Sequence, residues 1–178
     1  MNIAHVLFSP NGRIPPKVFW RGVIILVGAL VVIQVLSNYG PPFIAMMLGL
    51  LSLAMPYFYL CVYGKRLHDA GATAWWYVAF FIGYLLGTML LGAILGPILS
   101  PGMAAIQEEA QYVLQSGDFQ GFFALTQEAA REGLMSTLVA LFLINGGLGY
   151  LAARLPSDPQ TNEHGPPTLS DGPAETFQ

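Results

Sequence analysis

The sequence predicts an all-α polytopic membrane protein, a four-span transmembrane helical bundle with an extramembrane amphipathic helical insert. Composition is the first observation: 54% of the 178 residues are hydrophobic, 10% are charged, and the mean hydropathy is +0.57. Soluble proteins carry roughly a quarter charged residues. The second observation is that the apolar residues are concentrated in long runs, each near the roughly 20 residues that cross a bilayer. Lipid is therefore the expected solvent for most of the chain.

The four spans and the insert form one predicted membrane domain, residues 1–154. The spans are expected at about residues 19–36, 43–63, 75–99 and 134–153. Residues 100–133 carry apolar and polar side chains on opposite helical faces, which predicts an amphipathic helical insert outside the membrane. After Arg154, low hydrophobicity, acids and prolines leave little to offset the entropy of ordering. Residues 155–178 are therefore expected to be a disordered cytoplasmic tail.

Special residues inside the spans predict how the helices pack. Pro56 removes a backbone donor, so we expect a kink in the second span. Asn145 is expected to hydrogen-bond to another helix, a contact worth about 0.5 to 2 kcal/mol. Two glycine pairs in the third span allow close approach of a helix, which we expect to come from the same monomer. These pairs are Gly83/Gly87 and Gly92/Gly96.

The cations predict how the chain is threaded. If the N terminus is cytoplasmic, six of the seven Lys and Arg residues face the cytoplasm and only Arg131 faces the other side. The cytoplasmic cations are then Arg13, Lys17, Arg21, Lys65, Arg66 and Arg154. This asymmetry obeys the positive-inside rule, so we expect a multi-pass protein with both termini in the cytoplasm. A net charge of −3 without a clustered basic footprint argues against nucleic-acid binding.

The stretch GKRLHDAGATAWWYV, residues 64–78, is chemically the most capable part of the chain. On one helix, Lys65, His68 and Asp69 occupy neighbouring surface positions, whereas Arg66 points about 100° away. Gly71 suits the left-handed conformation that ends a helix. The resulting candidate binding or structural cluster consists of Arg13, Lys65, Arg66, His68 and Asp69.

Two roles for this cluster stay open. It could receive the phosphate of an anionic lipid headgroup or a small anion. It could equally be an ion-pair cluster with Arg13 or Arg21 that fixes the first helix against the second. Aromatic rings at the predicted span ends are expected to be interfacial anchors at headgroup level. The anchors are Phe19, Trp20, Trp75 and Trp76.

The sequence lacks the familiar catalytic motifs. It contains no P-loop lysine, no HExxH zinc motif, no GxSxG elbow and no acid inside a span. Cys61 is the only cysteine, which excludes an intramolecular disulfide and a cysteine metal cluster. We therefore expect no catalytic residues, no metal and no cofactor. A lipid-modifying enzyme with His68 as general base ranks last, because adjacent helical residues such as His68 and Asp69 rarely bond side chain to side chain.

The predicted function is a non-catalytic scaffold or accessory subunit. The expected partners are membrane lipids, including anionic ones, and a membrane protein that meets residues 100–133. The alternative is a component that binds or transports an anionic lipid or a small anion through the cytoplasmic cluster.

Two segments resemble a known family. FSPNGRIPPKVFW, residues 8–20, and KRLHDAGATAWWY, residues 65–77, look like the two signature segments of the bacterial inner-membrane DUF 805 family, a domain of unknown function. The resemblance covers roughly residues 7–154. It implies a small multi-span protein of the bacterial inner membrane with a cytoplasmic N terminus, and it brings no assigned activity or cofactor. The matching positions are Gly12, Arg13, Trp20, Arg66, Leu67, His68, Asp69, Trp75 and Trp76.

The chain departs from the family pattern at three positions and in one segment. Lys17 stands where arginine is common, and Thr73-Ala74 stands where Ser-Gly is usual. Ala74 weakens any role that needs a bare backbone N–H at that turn. The long insert, residues 100–133, is less typical of the family, so its function is expected to be particular to this protein.

Overall fold

The computed structural model describes residues 2–168, and these residues are mostly helical and contain no β-strand. The all-α prediction is confirmed. In chain order the elements are α1 (Ile3–Phe8), α2 (Pro16–Tyr39), α3 (Pro42–Ser52), α4 (Met55–Asp69), a 3₁₀ turn (Ala74–Trp76), α5 (Tyr77–Leu99), α6 (Met103–Gln115), α7 (Phe119–Glu132) and α8 (Leu134–Arg154).

Four helical stretches among the described residues are long and apolar enough to cross a membrane. They correspond to the four predicted spans and extend beyond them by up to six residues at an end. The stretches are Pro16–Tyr39, Phe43–Asp69, Ala74–Leu99 and Leu134–Arg154. The membrane domain is thus a bundle of four long helical stretches, as its fold class predicts.

The second stretch is interrupted. Instead of a kink in one helix, α3 ends at Ser52 and α4 begins at Met55, with a turn at Leu53 and Ala54 between them. Pro56 lies in the first turn of α4. Because proline has no N–H, it cannot donate to the carbonyl of Ser52 four residues earlier, so the helix does not continue through this point.

Helix α8 packs between α2 and α5, and α4 packs on α2. The Cβ atoms that Gly83 and Gly87 lack would lie 3.6 Å from Leu148 and 3.4 Å from Ile144 of α8. This first glycine pair therefore packs inside the monomer, as expected. In the second pair nothing lies within 4 Å of the Cβ position of Gly92, whereas that of Gly96 would lie 3.9 Å from the Met103 side chain of α6.

Asn145 makes the predicted contact between helices. The Tyr59 hydroxyl of α4 donates to Asn145 Oδ1 at 2.8 Å, and Asn145 Nδ2 donates to the Leu141 carbonyl one turn earlier at 2.8 Å. Both ends of the amide are therefore satisfied inside the bundle.

Of the predicted interfacial anchors, Phe19 lies inside the protein and Trp20 is partly covered by a neighbouring helix. Phe19 is fully buried and packs edge-to-face on Tyr63, with 5.0 Å between ring centroids. Trp20 is half-buried against the backbone of Gly149 on α8. The face of α2 that carries Phe19 and Trp20 is covered by α4 and α8. The sequence of α2 alone does not predict which helices cover that face. Trp75 and Trp76 are exposed, at 81% and 62%, as an anchoring role requires.

The insert forms a helical hairpin at the end of α2 that carries Tyr39. Helices α6 and α7 pack on each other, and Asp118 caps α7 by accepting from the Gly121 N–H at 2.9 Å. Arg131 fastens the hairpin to α2. Its Nε donates to the Asn38 carbonyl at 2.7 Å, and its guanidinium lies 5.7 Å from the centre of the Tyr39 ring.

The prediction of a disordered tail is wrong for residues 155–168. These residues, called the strap below, run back over the end of α4 and hydrogen-bond to it. Their order comes from polar contacts to buried charges, so low hydrophobicity was the wrong criterion. The rest of the predicted tail, residues 169–178, lies outside the described residues.

The close approach of α8 to α2 yields a first prediction. In Gly149→Ala the new Cβ would lie 2.9 Å from the Trp20 ring, so we expect destabilisation by about 1–3 kcal/mol through overpacking. Gly146→Ala is the matched control on the same helix, because nothing lies within 4 Å of its Cβ position. Thermal unfolding of both variants in detergent measures the difference. Equal melting temperatures of the Gly149→Ala and Gly146→Ala variants would contradict the prediction, because they would mean that the Trp20 ring moves aside without loss of stability.

Candidate functional site

Two turns bring the candidate residues together at one end of the bundle. Helix α4 ends at Asp69, and Gly71 follows with a φ of +71°, a conformation that glycine adopts without the penalty of a Cβ. In the N-terminal loop, Gly12 has a φ of +101° and directs Arg13 towards α4. The Ile14 N–H then donates to the Lys65 carbonyl at 3.4 Å, which fastens the loop to the helix.

Asp69 is the centre of the site and is fully buried. Its Oδ2 accepts from Arg66 Nη1 and, at 2.6 Å, from the Ser157 hydroxyl. Its Oδ1 accepts from the Thr168 hydroxyl and lies 3.5 Å from Arg13 Nε. One carboxylate is thus held by two cations and two strap hydroxyls, an arrangement that compensates a buried negative charge.

Arg66 is also fully buried, and it ties α4 to the end of α8. Its Nε donates to the Ala152 carbonyl at 3.2 Å, and its Nη2 donates to the carbonyls of Ala153, at 3.2 Å, and Leu155. The last carbonyls of a helix have no donor within it, and a cation is favoured there. Arg66 therefore caps α8 while it neutralises Asp69.

Arg13 donates to backbone carbonyls of the strap, as Arg66 does to those of α8, and it is 3% exposed. Its Nη1 donates to the carbonyls of Gln160 at 2.8 Å and Gly165 at 3.3 Å. Its Nη2 donates to the carbonyls of Asp158 at 2.5 Å and Asp69 at 3.2 Å. The strap is therefore wrapped around a guanidinium that comes from the other end of the sequence.

The strap holds its own shape through local turns. Asp158 Oδ1 accepts from the Gln160 N–H at 2.9 Å, and its Oδ2 accepts from Asn162 Nδ2 at 3.1 Å. These hydrogen bonds hold the pKa of Asp158 below its ordinary value, with the Gln160 N–H as the largest cause. The Asp158 N–H donates to the Asp69 carbonyl at 2.7 Å, so the turn is joined to the end of α4.

His68 lies at the edge of the cluster and is 6% exposed. Its Nδ1 is 3.2 Å from the Gly12 carbonyl, which can only accept, so this nitrogen carries the proton. The ring stacks on His164 of the strap, with centroids 3.5 Å apart and planes 7° apart. Within the described residues the Asp69 carboxylate makes no hydrogen bond to the His68 ring; it is engaged by the two arginines and the strap.

Lys65 faces away from the other predicted cluster members and is fully buried. Its Nζ donates to the carbonyls of His5 and, at 3.0 Å, Val6, both in α1. Burial and the Lys65 charge, in that order, lower the pKa of His5. The structure therefore divides the predicted cluster: Arg13, Arg66 and Asp69 form its centre, hereafter the Arg–Asp–Arg cluster, His68 borders it, and Lys65 fixes α1. Arg21 is exposed on α2.

Sequence reasoning missed the strap residues that complete the site. Asp158-Pro159 and the stretch from Asn162 to Gly165 carry ordinary turn signals, which predict local turns but no partner. Asp158 and Arg13 are 145 residues apart in the chain, so no local pattern connects them. Within residues 2–168, no three His, Cys, Asp or Glu side chains are grouped to hold a metal ion.

These features define a helical membrane protein whose N-terminal loop, α4, α8 and strap are joined through one buried Arg–Asp–Arg cluster. A family model described as "Protein of unknown function (DUF805)" matches residues 7–166, and the chain belongs to this family. The match confirms the resemblance of the two signature segments and extends past residue 154 through most of the strap. No curated protein and no solved structure matches the chain.

Proposed function

We propose that this protein is a non-catalytic scaffold or accessory subunit of the bacterial inner membrane, with both termini in the cytoplasm. One observation carries the proposal: the terminal nitrogens of Arg13 and Arg66 all donate to acceptors within the chain. Together with Asp69 they join four segments and are nearly or fully buried. A buried cluster whose charged groups bind one another and the backbone stabilises the fold, so the Arg–Asp–Arg cluster is called the structural lock below.

The same contacts argue against an anion site in this cluster. A phosphate would have to replace Asp69 and the strap carbonyls as the partners of two buried guanidinium groups, and removing those partners is costly. They also argue against His68 as a general base oriented by Asp69, since that carboxylate is occupied by Arg66 and Ser157.

The hairpin of α6 and α7 is the proposed partner surface, on the side of the membrane opposite the lock. Tyr112, Phe119 and Phe123 are exposed at 75%, 63% and 66%. Large exposed apolar side chains outside the bilayer often mark contact sites for another protein or for the membrane. Arg131 holds the hairpin on α2, so this surface is presented in a fixed position.

Site-specific photo-crosslinking in native membranes tests this proposal. A photoreactive residue at Phe119 or Phe123 is expected to give one discrete protein adduct. Met89 and Leu90 of α5 are the matched positions, since they are equally exposed, at 72% and 62%, within an apolar span. There we expect adducts with lipid alone. The same lipid-only pattern at the hairpin positions would contradict a partner surface.

A further inference from the structure

A second site lies inside the bundle, apart from the Arg–Asp–Arg cluster. A partly open cavity of about 180 Å³ is lined by residues of α2, the junction of α3 and α4, α4 itself, α5 and α8. Its walls are mainly aromatic. The rings of Tyr63 and Phe80 lie 5.3 Å apart and those of Tyr59 and Tyr63 lie 6.1 Å apart. It is a concave apolar site with a few polar groups, the usual form of a small-molecule site.

Two tyrosine hydroxyls at this cavity have no hydrogen-bond partner among the described residues. Tyr63 is 3% exposed and Tyr84 is half-buried, and neither hydroxyl makes a hydrogen bond within residues 2–168; both hydroxyls remain accessible at the cavity. The other two tyrosines of the lining are paired: Tyr59 donates to Asn145, and Tyr77 donates to the Pro56 carbonyl at 2.9 Å. An unpartnered phenol in an apolar setting is unfavourable, so Tyr63 and Tyr84 indicate a ligand that accepts hydrogen bonds.

The interrupted helix supports a binding role independently. Ser52, Met55 and Pro56, at the break between α3 and α4, line the cavity. Irregular backbone at membrane depth is tolerated where it lines a cavity or is buried in protein.

We propose that this cavity binds the head ring of an isoprenoid quinone. Such a ring is flat, uncharged and soluble in the bilayer, and its carbonyl oxygens accept from the hydroxyls of Tyr63 and Tyr84. An engineered cavity of about 150 Å³ admits one benzene ring, so this cavity has room for one six-membered ring, and its open side leaves space for ring substituents and the tail. Aromatic walls suit a flat ring through offset or edge-to-face contacts. A lipid acyl chain would fill the space but leave both hydroxyls unpaired. The site does not rest on the scaffold proposal, and only binding is inferred.

Binding of decylubiquinone to the purified full chain in detergent tests this inference. Calorimetric titration should show saturable binding to the unmodified chain. Tyr63→Phe with Tyr84→Phe keeps both rings and removes both hydroxyls, so we expect about tenfold weaker binding. Tyr84→Phe alone should weaken binding about threefold, which preserves the test if the double variant does not fold. Tyr112→Phe is the matched control on the exposed hairpin and should bind as the unmodified chain does.

Two further experiments distinguish binding of a quinone from binding of another ligand. Decylbenzene has a ring and the same tail but no carbonyl, and it should bind more weakly, with no loss in the double variant. Ser52→Leu places a larger side chain at the cavity wall and should abolish decylubiquinone binding. The inference is overturned if the unmodified chain shows no saturable binding or if the double variant binds as tightly as the control. It is equally overturned if decylbenzene binds as tightly as decylubiquinone, which would assign the cavity to an acyl chain.

Discussion

Asp69→Ala is expected to remove most folded protein from the membrane. The substitution leaves Arg13 and Arg66 buried without their shared carboxylate, and breaking a buried ion pair on one side costs about 3–5 kcal/mol. Net stabilities of folded proteins are about 5–15 kcal/mol, so the loss is a large share of the total. Protein level in membranes and the melting temperature in detergent measure the effect.

The matched control is Glu128→Ala, which removes an exposed carboxylate from α7 and should change stability by less than about 0.5 kcal/mol. Adding Arg66→Ala to Asp69→Ala removes both charges, so the double variant should be less destabilised than the sum of the two single variants. Normal abundance and melting of Asp69→Ala would show that the cluster is not a structural lock. The proposed function would then lose its main support.

Truncation after Leu155 is expected to destabilise the protein on the order of 3 kcal/mol. Arg13 loses three carbonyl acceptors and Asp69 loses two hydroxyl donors. Hydrogen bonds to charged groups contribute about 1.5–3 kcal/mol each, but water reaches the opened site and replaces part of them. Arg66 keeps its acceptors on α8, which limits the loss. Thermal unfolding in detergent measures it.

A second truncation, after Thr168, keeps every strap contact described above. The difference in melting temperature between the two truncated chains therefore isolates residues 156–168. The composition of residues 155–178 predicts a disordered tail, and a disordered tail would make the two truncated chains equally stable. A clearly lower melting temperature for the shorter chain is the expected result, and equal values would argue that the strap contributes nothing to stability.

The site was predictable where residues are near each other in the sequence. Spacing and turn chemistry pointed to the end of α4 and to Gly71, because helix periodicity and the left-handed conformation are local properties. Arg66 and Asp69, three residues apart, were predicted to share one cluster, but helix spacing alone placed Arg66 about 100° away from Asp69 and did not predict their direct contact. The Arg66 side chain is long and flexible, and burial by α8 and the strap decides which way it extends.

The sequence by itself determined that this is an all-α membrane protein with four apolar spans, and it identified the family. Both follow from composition, helix length and short motifs, which need no knowledge of long-range contacts. Only the tertiary structure decided that the strap is ordered, that Lys65 serves α1, that Phe19 is buried and that Tyr63 faces a cavity. Each of these depends on which helices lie side by side. A buried charge takes the nearest acceptors that the fold brings to it, and those of Arg13 come from the other end of the chain.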